Sequence, residues 1–421
     1  MADGFVSLFV ALLLILSATV IYFRLDFMEP SVIFVATMTV SVFLSMIFAE
    51  QWGFSIGIKT FFCLTLASIA FVLGNVFADR CYRSTTPLNP RGAISIGNGK
   101  IFAALIVMAA MLCFNFVESY EMSMRLGNSG GVADMIRVNR QAIEAQIASF
   151  SRWTNYRSMI AQAITYTFLY AFIRNFIFRR EIVARYLAPL IFYVPILILN
   201  TGRMGLLCLI VYSIVVASIL RQRLSDRLTD RLSIAKSLIG AGIIFAALFM
   251  LMGTFTGKTV SAERTPLVIL AHYAGLSIPA LDVFLNREMI ETTAIGSYTL
   301  HGIYRMLGTL GFDLPSVPLF LPFVKFVGID TNVYTAEARY IHDYGWVGMT
   351  LILWSFGAIY SFAYRFVRAR ETALPLMFYG FCAYPLFLSS IDERVMLDFA
   401  GTTPIYILML LFLTDKIFLK R

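Results

Sequence analysis

Charge is scarce in this chain: 14% of its 421 residues are charged and 59% are apolar, where soluble domains carry about 25% charged residues. A large soluble enzyme is excluded on that ground. So is a nucleic-acid binder, despite the net charge of +9. Cysteine is sparse too. The five residues Cys63, Cys81, Cys113, Cys208 and Cys382 show no paired spacing and four sit in apolar runs, so they read as small hydrophobes rather than disulfide partners or metal ligands. The HExxH, G-x-S-x-G and Walker A patterns are missing, and no Cys/His metal cluster is present; neither metal nor cofactor is expected. Acids are nearly missing from the first eight apolar runs, which leaves a proton relay across a membrane without carriers. No repeat, low-complexity tract or Gly/Ser linker divides the chain, so residues 1–421 read as one integral membrane domain.

Long apolar runs are what the chain has in abundance. They fall near 4–23, 31–49, 55–78, 101–118, 158–178, 187–199, 204–220, 237–256, 346–364, 375–390 and 403–415, and crossing ~30 Å of hydrocarbon takes about 20 residues. The pattern predicts an all-α polytopic membrane protein with about 11 spans (10–12). Met1–Gly4 has no basic region and Phe5–Phe23 is long enough to span, so the first run reads as a span rather than a cleaved signal. Runs 187–199 and 204–220 are separated by Asn200-Thr-Gly-Arg203 and read as a tight helical hairpin, with one long bent helix as the alternative.

Segments 24–30, 79–100, 174–186, 221–236, 365–374 and 416–421 hold 20 Lys and Arg in 74 residues; the alternate set, 50–54, 119–157, 200–203, 257–345 and 391–402, holds 13 in 149. The basic set, with the C-terminus, is therefore expected on the cytoplasmic side. Two expected external loops are long. Loop 119–157 carries Arg125, Arg137, Arg140, Arg152 and Arg157, and its apolar recurrence at Met135, Val138, Ile143, Ile147 and Phe150 suggests an interfacial amphipathic helix in contact with membrane lipids. Loop 257–345 contains all three histidines (His272, His301, His342), five of the thirteen prolines and fourteen charged residues. A long loop with this content points to a functional site rather than a tether.

Three places there carry chemistry. Arg203, an external guanidinium between Gly202 and Gly205, reads either as a snorkelling helix-end residue or as a fixed cation for a lipid phosphate. His301, Tyr304, Arg305 and Gly308 share one face at helical spacing. In the stretch from Asp330 to Gly348, Asn332, Arg339 and Asp343 would share one side of a helix, with Arg339 and Asp343 paired at i, i+4 beside His342. Tyr344 and Trp346 suit the aromatic belt. Lys258 and Arg264 open the loop, and Arg264 is a further phosphate candidate.

The order of these elements resembles the Wzy-type O-antigen and oligosaccharide repeat-unit polymerases. Asn332-Val-Tyr334-Thr335 followed by Asp343-Tyr-Gly345-Trp-Val-Gly348 at the opening of a span looks like that family's signature. Upstream, Tyr298…Arg305-Met-Leu-Gly308 and Thr201-Gly-Arg203-Met-Gly205 are similar to its other recurring elements. The likeness covers roughly residues 187–366; the first 186 match only in hydropathy and in a mid-length external loop.

What the resemblance implies is a metal-independent, GT-C-like glycosyltransferase of the bacterial inner membrane with its site on the periplasmic face. It would move a growing glycan from undecaprenyl diphosphate onto the acceptor sugar of another lipid-linked repeat unit. By that analogy Arg203, Arg305, Arg339 and, more weakly, Arg264 fall to the diphosphate. His301, His342 or Asp343 would be the base, and Asn332, Tyr334 and Tyr304 would orient substrate. A chain-length-regulating co-polymerase is the partner expected by analogy. The related O-antigen ligases carry a histidine near the element aligned with Thr331-Asn332; here Asp330-Thr331 stands in that place. A ligase acting on the lipid A core and a lipid-linked oligosaccharide flippase are the competing functions. The flippase would line several spans with polar groups, which this sequence places outside them.

Overall fold

The structure, a computed structural model, describes residues 2–82, 93–128, 130–145, 147–201, 203–224, 228–255, 266–286, 296–313 and 321–420. The chain is mostly helical. Its first helices are α1 (Ala2–Tyr22), α2 (Pro30–Trp52), α3 (Ile58–Cys81), α4 (Asn98–Arg125), α5 (Val132–Glu144) and α6 (Arg152–Arg179). There follow α7 (Ala188–Leu199), α8 (Arg203–Leu224), α9 (Leu228–Phe255), α10 (Pro266–Ala274), α11 (Ser277–Asn286) and α12 (His301–Thr309). A short ribbon of β1 (Val324–Phe326) and β2 (Ile329–Thr331) precedes α13 (Ala336–Arg368), α14 (Ala373–Cys382), α15 (Tyr384–Leu388), α16 (Val395–Phe399) and α17 (Thr403–Thr414).

Among the described residues, six helices are long and apolar enough to cross a membrane: α1, α2, α3, α4, α8 and α13. This is a helical membrane protein. Two further apolar helical stretches, Ala184–Leu199 and Ala373–Leu388, are shorter. The reason is visible in their sequences. The first ends at Asn200 and carries Pro195 inside it, and the second is interrupted ahead of Pro385. The predicted run 158–178 lies inside α6, where Gln162, Thr165, Thr167 and Asn175 dilute the apolar content.

Contacts gather the chain into two compact units, each drawn from separated stretches. One comprises Met1–Thr86, Thr265–Ala369 and Pro385–Pro404; the other Pro87–Arg264, Arg370–Tyr384 and Ile405–Arg421. Because neighbours in space come from distant parts of the sequence, no linker composition marks the division.

The first unit is organised on the crossing of α3 and α13. A Cβ built on Gly74 would stand 1.9 Å from the Trp354 carbonyl oxygen, and one on Gly357 would stand 2.1 Å from that of Phe71. Only glycine at both positions lets the two backbones touch, the small-residue packing that membrane helices favour where apolar burial gives no net drive. Beside the crossing, Phe34 of α2 stacks on Phe71 at 4.3 Å. One end of α13 is fixed by ions: Arg365 pairs with Glu29 at 2.8 Å and Asp79 at 2.9 Å, and Arg368 with Asp26 at 2.8 Å. The other end is broken at Gly345, where φ 66° and ψ −173° interrupt the helix. This conformation is essentially restricted to glycine. The run predicted to begin at 346 thus starts just after the break. The nine residues before it form a separate helical segment that belongs to the site.

The second unit contains the predicted hairpin, α7 and α8 joined through Asn200 and Thr201, with Thr201 at φ 58°. Gly205 is close against Leu197. Tyr212 of α8 stacks on Tyr166 of α6 at 4.0 Å and donates its hydroxyl to the Tyr166 carbonyl. The amphipathic helix expected in 119–157 is α5, which stops at Glu144. Its buried face is Met135, Ile136, Asn139, Arg140 and Ala142, while Ile147 lies beyond its end and is exposed. Asn139 displaces the expected all-apolar stripe because its amide donates to the Ser119 carbonyl and hydroxyl of α4.

Candidate functional site

The site in the first unit is built from the turn 296–300, α12, the segment before α13, the first half of α13 and the stretch 389–398. Gly296, at φ 76°, opens the turn and aims consecutive backbone N–H groups at one carboxylate. Asp343 Oδ2 accepts from the Thr299 N–H and hydroxyl, each at 2.8 Å, and Oδ1 accepts from the Tyr298 N–H at 3.4 Å. The Tyr344 hydroxyl lies 2.8 Å from that of Thr299. Since Thr299 gives its only proton to Asp343, Tyr344 is the donor in that pair.

The fourth partner of Asp343 is His342, whose Nδ1 lies 2.9 Å from Oδ1. An acceptor-only carboxylate fixes Nδ1 as the protonated nitrogen, which leaves Nε2 with its lone pair. His342 Nε2 is buried and has no hydrogen-bond partner among the described residues. Aromatic rings hem the imidazole, with Tyr298 edge-on at 4.5 Å and Phe284 at 6.4 Å. An oriented imidazole with a free nitrogen is the arrangement a general base needs.

Arg339, one turn earlier, is buried. It donates to the Tyr298 carbonyl at 3.3 Å and its Nε lies 3.8 Å from Asp392. Asp392 is also paired with Arg394 at 2.8 Å, and Arg394 reaches Asp398 at 3.7 Å. Between them Glu393 accepts from the Tyr340 hydroxyl at 2.7 Å and from the backbone N–H groups of Met396 and Leu397. Burial pushes the Glu393 carboxyl up to about 7, against the pull of those donors.

His301 begins α12 and is half-buried. Its imidazole is held below the usual histidine range, first by burial and then by the Arg305 and Arg339 guanidiniums. Arg305, on the same helix, is exposed, and Tyr304 is half-buried. Gly302 lets α12 lie against the backbone at Ala400, where a Cβ would come within 2.8 Å of the carbonyl.

Asn332 lies outside any helix, which corrects the expectation that Asn332, Arg339 and Asp343 share one helical side. Asp330 and Thr331 pair in the ribbon with Lys325 and Val324, and Thr335 is still extended, so α13 begins only at Ala336. Tyr334 is buried and donates its hydroxyl to the Pro322 carbonyl at 2.8 Å; burial raises that phenol to about 12. It shapes the site floor beside Phe284.

His301, Arg305, Arg339, His342 and Asp343 therefore fall in one unit, on two pieces of chain, α12 and the start of α13. Arg203 opens α8 of the other unit, and its side chain lies outside the described residues, as does Arg264 altogether. Among the described residues no group of His, Cys, Asp and Glu is placed to hold a metal ion. Sequence reading placed Tyr298 in a motif without giving it a role, and it missed Thr299 and the Asp392-Glu393-Arg394 triplet. The triplet had a usable signal, three consecutive charges directly after an apolar run. Thr299 had none, because its part is played through the backbone.

Compared with known protein families, with curated proteins and with solved structures, the chain matches none.

Proposed function

We propose that the protein is a polymerase of lipid-linked oligosaccharide repeat units. It would transfer the growing glycan from undecaprenyl diphosphate to the acceptor sugar of another lipid-linked unit, at the periplasmic face of a bacterial inner membrane. The observation that carries this reading is the His342–Asp343 pair, with Nε2 of His342 buried and unpartnered. In the reaction an acceptor hydroxyl loses its proton to Nε2 as its oxygen bonds to the anomeric carbon. The bond from that carbon to the diphosphate oxygen breaks, and the electron pair leaves with the lipid diphosphate. Asp343 then faces the imidazolium, holding it in place. Arg305 is the exposed guanidinium on α12 available to the leaving diphosphate, where a planar fork suits two phosphate oxygens. Arg339 stiffens the turn at Tyr298. Arg203 and Arg264 enter the reading from the sequence resemblance.

Support comes from three sides: the helical membrane architecture, the base–carboxylate pair, and the ordered motifs between residues 187 and 366. The test is a gel of surface polysaccharide and lipid-linked intermediates from a strain lacking the gene. Glycan capped at one repeat unit, with the ladder gone, is the expected result. Loss of all glycan from the lipid A core with long chains left on the carrier would replace the polymerase with a ligase. Single repeats trapped on the cytoplasmic leaflet would replace it with a flippase.

A further inference from the structure

The second unit contains an open cleft of about 730 Å³, within the about 300–1,000 Å³ typical of small-molecule sites. It lies where α4 ends, α6 begins and the segment 147–151 passes, and none of its lining residues belongs to the site of the first unit. At its floor Glu118 and Arg157 form an ion pair. Arg157 is held on two further sides, donating from Nε to Asn115 at 2.7 Å and from Nη2 to Thr154 at 2.9 Å, with the Phe114 ring 5.9 Å from its Cζ. Glu118 accepts from the Thr154 hydroxyl and, through Oε1, from the Ser151 N–H at 2.7 Å. At the rim stands Trp153, 70% exposed.

Two features of this arrangement decide its ligand. The ion pair is closed on itself, and the other two charges lining the cleft, Glu121 and Arg125, lie 3.6 Å apart as a second pair, so the cleft carries no net charge to favour an anionic or a cationic ligand. What remains free is a fixed donor and a fixed acceptor side by side. Arg157 Nη1 has no hydrogen-bond partner among the described residues, and Glu118 Oε1 retains a second lone pair, since a carboxylate oxygen offers two. Neighbouring hydroxyls of a sugar ring present the complement, each able to give one hydrogen bond and take another, here strengthened by the charge on the protein side. The broad face of Trp153 meets the other need, an apolar surface for the C–H side of the ring on a residue that tolerates water at its edge.

We propose that this cleft is a saccharide-binding subsite that takes an uncharged stretch of oligosaccharide, with Arg157 and Glu118 as the polar contacts and Trp153 as the stacking surface. Only the choice of probe rests on the glycan reading above. The probe is the oligosaccharide released by mild acid from the host strain's own lipid-linked intermediates, added to the full-length protein in lipid nanodiscs and followed by saturation-transfer NMR. The protein should saturate the sugar. Trp153→Ala should weaken binding at least tenfold and Trp153→Phe should restore most of it, and both changes sit on an exposed side chain that the fold does not need. Arg157→Lys should weaken binding to a similar degree. His342→Ala should leave this binding in place. The proposal is overturned if the wild-type protein does not bind the sugar, if Trp153→Ala binds it as well as wild type, or if phosphoethanolamine displaces it, which would make the cleft a lipid-headgroup site. The two readings fail separately. A normal glycan ladder in the deletion strain sinks the polymerase and leaves sugar binding standing, and a lost ladder with no binding at this cleft does the reverse.

Discussion

His342 donates Nδ1–H to the carboxylate of Asp343 at 2.9 Å, although the two residues are adjacent in sequence. Neighbouring side chains on a regular helix point apart. Here the contact forms two residues before the break at Gly345, and the same carboxylate is held from the opposite side by Thr299.

His342→Ala should lower turnover by about 10²–10⁴-fold, the usual contribution of a positioned acid–base group, with the protein still in the membrane. Asp343→Asn should be nearly as damaging. An amide that keeps its oxygen toward the Thr299 donors presents its NH2 to His342 Nδ1, which must then accept and leaves the proton on Nε2; turned the other way, it loses the Thr299 donors. The measurement is chain extension by purified protein on lipid-linked repeat units. Full activity in His342→Ala would remove the base from this position.

Thr299→Val removes one donor to Asp343 and the link to Tyr344 while keeping the side chain's shape. A loss of about 1.5–3 kcal/mol in stability is expected, the usual worth of a hydrogen bond to a charged group, together with a severalfold fall in turnover. Substrate affinity should be little changed, which a split of kcat from KM will show.

Arg305→Ala should abolish chain growth, and Arg305→Lys should restore it only in part, because an ammonium lacks the bidentate fork. The same substitution has a second consequence. Arg305 is one of the charges holding the His301 imidazole below its usual range, so its removal should raise that pKa, as an NMR titration of the ring would register. Arg203→Ala should likewise stop chain growth. Normal polymerisation by both alanine variants would leave the diphosphate without its assigned cations.

Glu393 predicts a pH dependence of stability. Its carboxyl is pushed from the usual 4.5 to about 7 in the folded protein. Between those values the folded state holds a proton that the unfolded chain has released. Its contribution is therefore full below 4.5 and is lost as pH rises through about 7. Thermal melts of the detergent-solubilised protein should fall across that window, and Glu393→Gln, neutral throughout, should flatten the slope.

Gly345→Ala should cost about 1–3 kcal/mol, because the backbone conformation there is one L-residues rarely adopt. A Cβ at Gly345 meets nothing within 4 Å, so the cost is conformational rather than steric. Gly97→Ala is the control: it too has open space around it, but at an ordinary φ of −63°, and should be close to neutral.

Much of the fold was legible because length and hydropathy act locally. The runs at 4–23, 31–49, 55–78 and 204–220 and the turn at Asn200–Thr201 appear where expected. The runs holding Pro195 and Pro385 form shorter apolar helices, a distinction that apolar content does not carry. Parts of the site were legible for the same local reason: His301 and Arg305 do share α12, and His342 and Asp343 do lie just ahead of a span. The rest depended on distant chain. Asp343 is held by a turn 44 residues away, and Glu393 accepts from Tyr340 across 53. Asn332 missed its helix because pairing of Thr331 with Val324 keeps the preceding segment extended.

The close approach of α3 and α13 at Gly74 and Gly357 has a consequence for how this sequence can change. In an ordinary core a larger side chain on one helix can be offset by a smaller one opposite. Here each glycine faces the backbone of the other helix, Gly74 the Trp354 carbonyl and Gly357 that of Phe71, so a substitution at either meets atoms that no side-chain change can remove. The two positions are closed to drift, 283 places apart in the chain yet bound to a single choice. Distant relatives that have lost every other likeness should still be recognisable by these two glycines, one in the third helix and the other a dozen residues beyond the glycine that breaks the helix above it.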